Sequence, residues 1–359
     1  MQHVIGASAQ PLSRAPFEGA IDADLHPMPS GLDALRPHLE PFWADSIAQR
    51  GLEGFESQSY PPDAPRTVRA DWRPPGRFPG LAEMQAWLDT TGAAMGVLNP
   101  IYGVQLIFNA DMNRAFTAAL NDWVRAEWLE RDARLRAAIV LPNETDHAVA
   151  EIERLAPDRR FIQALRPVMG EIPHGRRSHW PVYAALEKHG LPLCLHAGSA
   201  HRHPATSLGW VSWYMEDVAA QQQAFQSALA SLITEGVFVQ FPKLRVVLAE
   251  SGVSWLPAFL WRLTKGWKGV RFEIPWQAES PFDTMRRHIR LTAQPFDVPD
   301  EESARFLAHL GSEGLLFWAS DFPHWNYDGL PALPPGVDRE KFLHGNAAAF
   351  YNRLERVPA

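Results

Sequence analysis

Residues 315–325 read LLFWASDFPHW, and their reading decides the fold. Residues 315–319 are uniformly apolar, the pattern of a strand covered on both faces. The run stops at Ser320-Asp321-Phe322-Pro323-His324, so an acid stands at the mouth of a buried strand. Asp321 has two uses there. It caps the turn before Pro323 through local backbone bonds, or it is a functional carboxylate, since acids this near a core are normally paired or metal-bound. The rest of the chain has to decide.

Working outward, seven more apolar runs of strand length precede it, at 19–26, 93–99, 135–142, 161–167, 191–197, 244–251 and 289–294. Segments with helical spacing fall between most of them. Residues 111–131 place Met112, Phe116, Ala119, Leu120 and Trp123 on one face, with Asp111 as the expected cap. Further helices are expected at 145–155, 180–189, 215–234, 255–263, 301–310 and 339–353. Alternation of buried strand and amphipathic helix predicts parallel βα units, and eight of them predict a (β/α)8 TIM barrel of the α/β class, spanning 1–359 as one domain. A doubly wound open sheet is the alternative. Prolines crowd between residues 27 and 80, so 27–92 reads as a long Pro-rich lid insertion after the first strand.

Composition narrows the function classes. The net charge of -7 arises from 34 basic and 41 acidic residues without a long like-charge run, which argues against nucleic acid and anionic membrane as partners. The single cysteine, Cys194, lies within LPLCLH and reads as a small buried hydrophobe rather than a nucleophile. It also fits a reducing compartment. No basic start followed by an apolar core opens the chain, and no stretch reaches membrane-spanning length, so a cytoplasmic protein is expected.

In a barrel of this kind the chemistry gathers where the strands end. The first run ends Asp22-Ala23-Asp24-Leu25-His26, and alternation puts Asp22, Asp24 and His26 on one face. The fourth contributes Arg166, the fifth ends in His196, the sixth in Glu250 and the eighth in Asp321. Taken alone, His196 reads as a core histidine. Brought together by closure, Asp24, His26, His196 and Asp321 offer two imidazoles and two carboxylates, a donor set suited to one divalent ion, Zn²⁺ first and Mn²⁺ or Fe²⁺ as alternatives.

These motifs, DADLH, LPLCLHAG, FPKLRVVLAESGVSWLPAFLWRL, LFWASDFPHW and HGNAAAFYNRL, resemble the amidohydrolase superfamily. The resemblance is to the amidohydrolase-related branch that includes aminocarboxymuconate-semialdehyde decarboxylase, and it runs from about Ile21 to Leu354. It implies a metal-containing barrel with ligands at Asp24, His26, His196 and Asp321. One position departs: the best-known decarboxylases of the branch carry His followed by glycines where this chain has Glu250-Ser251-Gly252. Glu250 then orients a ligating His, binds the metal or acts as a general base.

The resemblance and the residues together lead to a metal-dependent enzyme acting on a small molecule. The first expectation is hydrolysis of an amide, ester or lactone by metal-activated water, whose pKa falls to about 7. Asp321 and Glu250 are its catalytic groups, and Arg166, His324 and Trp325 its substrate contacts. The alternative is non-oxidative decarboxylation of an aromatic or unsaturated acid. A third reading, a metal-free binding protein on the same barrel, conflicts with the intact strand-end residues. Aromatics such as Trp43, Phe55, Trp72 and Phe78 suit a flat substrate or ordinary packing. The family and the many Trp and Phe residues suggest a homodimer.

Overall fold

The computed structural model describes residues 15–55, 78–324 and 333–355. Among them, eight strands form one sheet ordered by sequence, each parallel to the next. They are β1 (Ile21–Leu25), β2 (Met95–Leu98), β3 (Leu135–Val140), β4 (Phe161–Met169), β5 (Leu193–Ser199), β6 (Val246–Ala249), β7 (Ile289–Thr292) and β8 (Leu316–Phe317). Nearly every residue in them is buried, which is why they read as continuous apolar runs rather than alternating ones. The last strand returns to the first. Leu25 bridges Phe322, Ala23 N donates to Trp318 O at 3.1 Å, and Asp321 N donates to Asp24 O at 3.1 Å. The sheet is thus a (β/α)8 barrel, as expected.

Helices alternate with the strands: α1 (Pro41–Arg50), α2 (Leu81–Thr91), α3 (Ala110–Val124), α4 (Thr145–Leu155), α5 (Trp180–His189), α6 (Tyr214–Thr234), α7 (Val237–Gln240), α8 (Leu256–Val270), α9 (Pro281–His288), α10 (Asp300–Leu310) and α11 (Asn346–Phe350). The cap of α3 differs from the sequence expectation. Asn109 rather than Asp111 accepts the backbone N–H of Met112, at 2.8 Å, because an N-cap must stand outside the first turn, where Asp111 already lies.

Much of the expected lid, 56–77, lies outside the described residues. The remainder of 27–92 contributes to the barrel wall. Trp43 and Phe55 pack on the buried ring of Phe116 in α3, with centroids 6.3 and 5.2 Å away. Helix α2 completes the first βα unit, and Gly96 on β2 lets it close: a Cβ there would meet Leu25 Cδ1 at 2.4 Å and Leu88 at 3.4 Å.

Two apolar layers fill the barrel. Ile21, Val97, Val247 and Phe317 pack with Phe350, Tyr351 and Leu354, so the C-terminal segment plugs the end where the strands begin. Ala138, Leu165, Cys194 and Ala249 form the next layer. One pleat beyond Cys194 on the same face comes His196, where the polar chemistry starts.

Candidate active site

Asp24 and His26 stand at the end of β1, His196 in the middle of β5, and Glu250 and Asp321 past the ends of β6 and β8. Strict alternation does not hold in β1, because its register against β2 shifts between Asp22 and Leu25. Asp22 therefore does not join Asp24 and His26. Its carboxylate instead accepts the Ser320 N–H at 2.9 Å and the Trp87 indole N–H at 3.2 Å. Burial pushes its carboxyl up to about 7 against those hydrogen bonds.

Six side chains converge. His26 Nε2 lies 2.9 Å from Asp321 Oδ1, 3.2 Å from Asp24 Oδ1 and 3.5 Å from Glu250 Oε1. His196 Nε2 lies 3.5 Å from Asp24 Oδ2 and 3.9 Å from Glu250 Oε1. His324 Nδ1 lies 2.8 Å from Asp321 Oδ1 and 3.1 Å from Glu250 Oε1, and its ring stacks on His26 with centroids 3.9 Å apart. Within the sets Asp24, His26, His196, Glu250 and His26, Glu250, Asp321, His324, the donor atoms lie within 4.8 Å of one another.

The orientation of each donor is set from behind. Nδ1 of His26 bonds the carbonyl of Asn99 at 2.9 Å, and Nδ1 of His196 bonds that of Ala197 at 2.9 Å. A carbonyl can only accept, so in both rings Nδ1 carries a proton, and the neutral form of each ring turns the Nε2 lone pair toward the cluster. Asp24 Oδ2, His26 Nε2, His196 Nε2 and Asp321 Oδ2 are all buried without a well-directed hydrogen bond. Four such orphans at one point are costly unless something binds them all, and two nitrogens with two carboxylate oxygens fit a divalent cation.

The electrostatics agree. Burial raises Asp24, but His196 and His26 more than reverse this and hold it well below the usual carboxylate range. Burial likewise opposes ionisation of Asp321, and His324 and His26 overcome it. Glu250 goes the other way, raised by burial and then by the charge of Asp321. The imidazoles of His26, His196 and His324 are all drawn upward by these carboxylates against burial. The site thus attracts positive charge.

Two of the acids are held in an unusual backbone conformation. Glu250 has φ 54° and Asp321 φ 59°, left-handed values that non-glycine residues seldom adopt and that gather at functional sites. Thr292 Oγ1 accepts the Glu250 N–H at 3.1 Å, and Asp297 accepts the N–H groups of Val253 and Ser254 at 2.7 and 2.9 Å, fixing the turn after β6.

The other expected contacts divide. His324 joins the cluster. Arg166 does not: it donates to His179 Nδ1 at 2.9 Å, because Gln163 and Leu165 occupy the inner face of β4 and alternation turns Arg166 outward. Trp325 lies outside the described residues, as does Trp72. Cys194 is fully buried, and burial followed by the charges of Asp24 and Glu250 pushes its thiol far up, so it is no nucleophile. Sequence reasoning missed Asn99, whose amide donates to Asp24 Oδ1 at 2.7 Å, and Gln163, which donates to Asn99 Oδ1 at 2.8 Å. It also missed Tyr214 at the start of α6, whose phenol is raised by burial and then by Glu250 and Asp321. Asn99 ends the second apolar run, a strand-end signal of the same kind as the others.

No helix among the described residues is long and apolar enough to cross a membrane. No curated protein sequence matches the chain. Solved structures share its fold. An amidohydrolase from Mycobacterium avium subsp. paratuberculosis superposes with a TM-score of 0.71 at 20% identity, over 93% of this chain and 97% of that one. A 5-carboxyvanillate decarboxylase from Sphingomonas paucimobilis gives 0.65 at 23% identity, over 93% and 99%. A dihydroxybenzoic acid decarboxylase from Polaromonas sp. JS666, with bound manganese and the inhibitor 2-nitroresorcinol, gives 0.64 at 17% identity, over 93% and 96%. A family model described as amidohydrolase matches residues 21–353. With its barrel, its cluster of strand-end donors and a match over nearly the whole sequence, the chain belongs to the amidohydrolase family.

Proposed function

We propose that the chain is a divalent-metal-dependent carboxy-lyase that removes carbon dioxide from an aromatic or unsaturated carboxylic acid without oxidation. The observation that carries this reading is the bond of 2.8 Å between His324 Nδ1 and Asp321 Oδ1, beside the four orphaned donors. Decarboxylation of a carboxylate consumes one proton at the carbon that loses carbon dioxide, so it needs a proton donor at that carbon. An imidazole paired with a buried carboxylate is such a donor.

Asp24, His26, His196 and Asp321 would hold the ion, with Glu250 beside them. When bound, a divalent cation supplies a fixed positive charge that holds substrate oxygens and draws electrons from them. The chain's own residues do the rest. Asp321 keeps the His324 imidazole charged and oriented, and the pair delivers its proton to the ring carbon. The bond from that carbon to the carboxylate then breaks, its electron pair returns to the ring, and carbon dioxide leaves. Solvent restores the proton. Decarboxylases of the same fold, one with manganese, support both the reaction class and Mn²⁺ beside Zn²⁺ as the ion.

Glu250 favours a second reading. Its Oε1 stands 3.5 Å from His26 Nε2 and 3.1 Å from His324 Nδ1, within reach of a water among the donors, where a raised carboxyl suits a general base for hydrolysis of an amide, ester or lactone. One screen separates the two. Protein loaded with Mn²⁺ or Zn²⁺ is offered hydroxylated aromatic acids and, separately, lactones and amides, with carbon dioxide and acid release followed in parallel. Carbon dioxide release in heavy water, with deuterium at the vacated ring carbon, is the expected result. Acid release alone would replace it with hydrolysis.

A further inference from the structure

Asp22 is a fully buried acid with no part in the chemistry proposed above. Its partners are all hydrogen-bond donors. Oδ1 accepts the Ser320 N–H at 2.9 Å and faces that of Asp24 at 3.4 Å, Oδ2 accepts the Trp87 indole N–H at 3.2 Å, and the Ser320 hydroxyl bonds the same carboxylate. A buried carboxylate depends on such bonds, and bonds to a charged acceptor are stronger than those between neutral groups.

These contacts close a ring around Asp321. Ser320 precedes it, and the Ser320 hydroxyl also accepts the Phe322 N–H at 3.1 Å. Phe322 follows it and stacks on Trp87, with centroids 4.8 Å apart and the planes 10° from parallel. Trp87 then returns to Asp22 through its indole. One carboxylate thus grips the turn on both sides of Asp321, through Ser320 before it and through Trp87 and Phe322 after it. Asp321 is the residue with φ 59°, and a non-glycine residue keeps such a conformation only where its surroundings over-determine it.

We propose that Asp22 is a positioning residue, which clamps Ser320 and Trp87 so that the turn between Ser320 and Phe322 stays left-handed and aims the Asp321 carboxylate at His26 and His324. Asp22 itself touches neither ion nor substrate. The clamp stands on the geometry of the turn, and only its effect on metal binding and turnover rests on the function proposed above. Asparagine cannot replace it. It keeps one acceptor oxygen and sets an NH₂ group where the other oxygen must accept, so one N–H donor is left facing another and the turn is released.

Four variants test the clamp without any metal: Asp321→Gly and Asp321→Ala, each made alone and each combined with Asp22→Asn. With Asp22 in place, the glycine variant should withstand more denaturant than the alanine variant, because only alanine is strained at φ 59°. In the D22N background that advantage should vanish or reverse, since a released turn no longer penalises a Cβ. An advantage that persists undiminished in D22N, or one absent from the outset, overturns the proposal. Should D22N not fold, Ser320→Ala removes the hydroxyl that links Asp22 to the Phe322 N–H, and the same comparison decides. In the otherwise native chain, D22N should weaken Mn²⁺ binding by at least about tenfold in competition with a chelator, and lower kcat. Unchanged Mn²⁺ affinity in D22N, where wild type binds the ion, also overturns the proposal. A wild type that binds no divalent ion counts against the proposed function instead, and the stability comparison still decides the role of Asp22.

Discussion

Asn99 donates its side-chain N–H to Asp24 Oδ1 at 2.7 Å, and Oδ2 is the oxygen of Asp24 left without a hydrogen bond in the cluster. The amide cannot turn round. Tyr351 donates its hydroxyl to Gln163 Oε1 at 2.8 Å, so Gln163 must present its NH₂ to Asn99 Oδ1, also at 2.8 Å, and Asn99 must present its own to Asp24. A chain of buried bonds thus runs from the C-terminal plug through the barrel to one donor atom.

The first prediction follows from that chain. Partners that orient a metal ligand typically contribute 10- to 100-fold in metal affinity. Asn99→Leu should weaken the binding of Mn²⁺ or Zn²⁺ by about that factor, measured by competition with a chelator, with the circular dichroism spectrum unchanged. Tyr351→Phe, two bonds further back, should weaken it less. Equal affinity in both variants and wild type would show that the chain orients nothing.

A second prediction concerns the proton donor. Asp321→Asn removes the charge that His324 faces, and loss of a positioned acid or base commonly costs about 10²–10⁴ in rate. Turnover should fall within that range. His324→Gln should lose comparable turnover while retaining the ion, because the four orphaned donors remain. Metal content measured beside kcat separates the two effects, and full activity in H324Q would remove His324 from the reaction.

What could be read from residues alone depended on what each residue must satisfy. The eight strands were legible because strands buried on both faces must be apolar along their length, and Asp24, His26, His196 and Asp321 interrupt such runs where no structural need calls for charge. The faces were less legible. Asp22 was assigned with Asp24, but the register shift inside β1 breaks the two-residue period on which that assignment rested. Arg166 falls near the end of its apolar run in the sequence, yet it lies within β4 and faces outward. Asn99 and Gln163 look like ordinary polar residues, and only the closed barrel brings them into line with Tyr351. Helix α2 was hidden by its proline-rich approach, which reads as loop throughout.

A third prediction is a pH dependence of stability. His174 titrates near 6.5 when unfolded and is pushed down to about 3 in the fold. Its folded form therefore stays neutral while the unfolded chain takes up a proton, so its contribution to stability is present above pH 6.5 and is lost progressively as the pH falls toward 3. At 1.36 kcal/mol per unit, that loss is about 2 kcal/mol between pH 7 and pH 5. His174→Gln should flatten the unfolding free energy over this interval by about that amount relative to wild type, read from denaturant titrations at each pH. Parallel curves would mean that His174 is not held neutral.

The fourth prediction concerns the backbone under Asp321. Its φ of 59° lets the chain leave the barrel after β8 and turn the carboxylate back toward His26 and His324. A side chain with a Cβ carries a penalty of roughly 1–2 kcal/mol in that region, whereas glycine carries almost none. Replacing Asp321 by Ala and by Gly abolishes the same carboxylate and its interactions, so the two variants differ chiefly in this backbone term. Glycine also gains entropy in the unfolded chain, which offsets part of the difference. Asp321→Gly should therefore exceed Asp321→Ala in stability by about 1 kcal/mol, although both lose activity. Glu250, with φ 54°, should behave in the same way. If alanine proved as stable as glycine at both positions, neither acid would be held under strain, and the left-handed turns would simply be what these loops prefer.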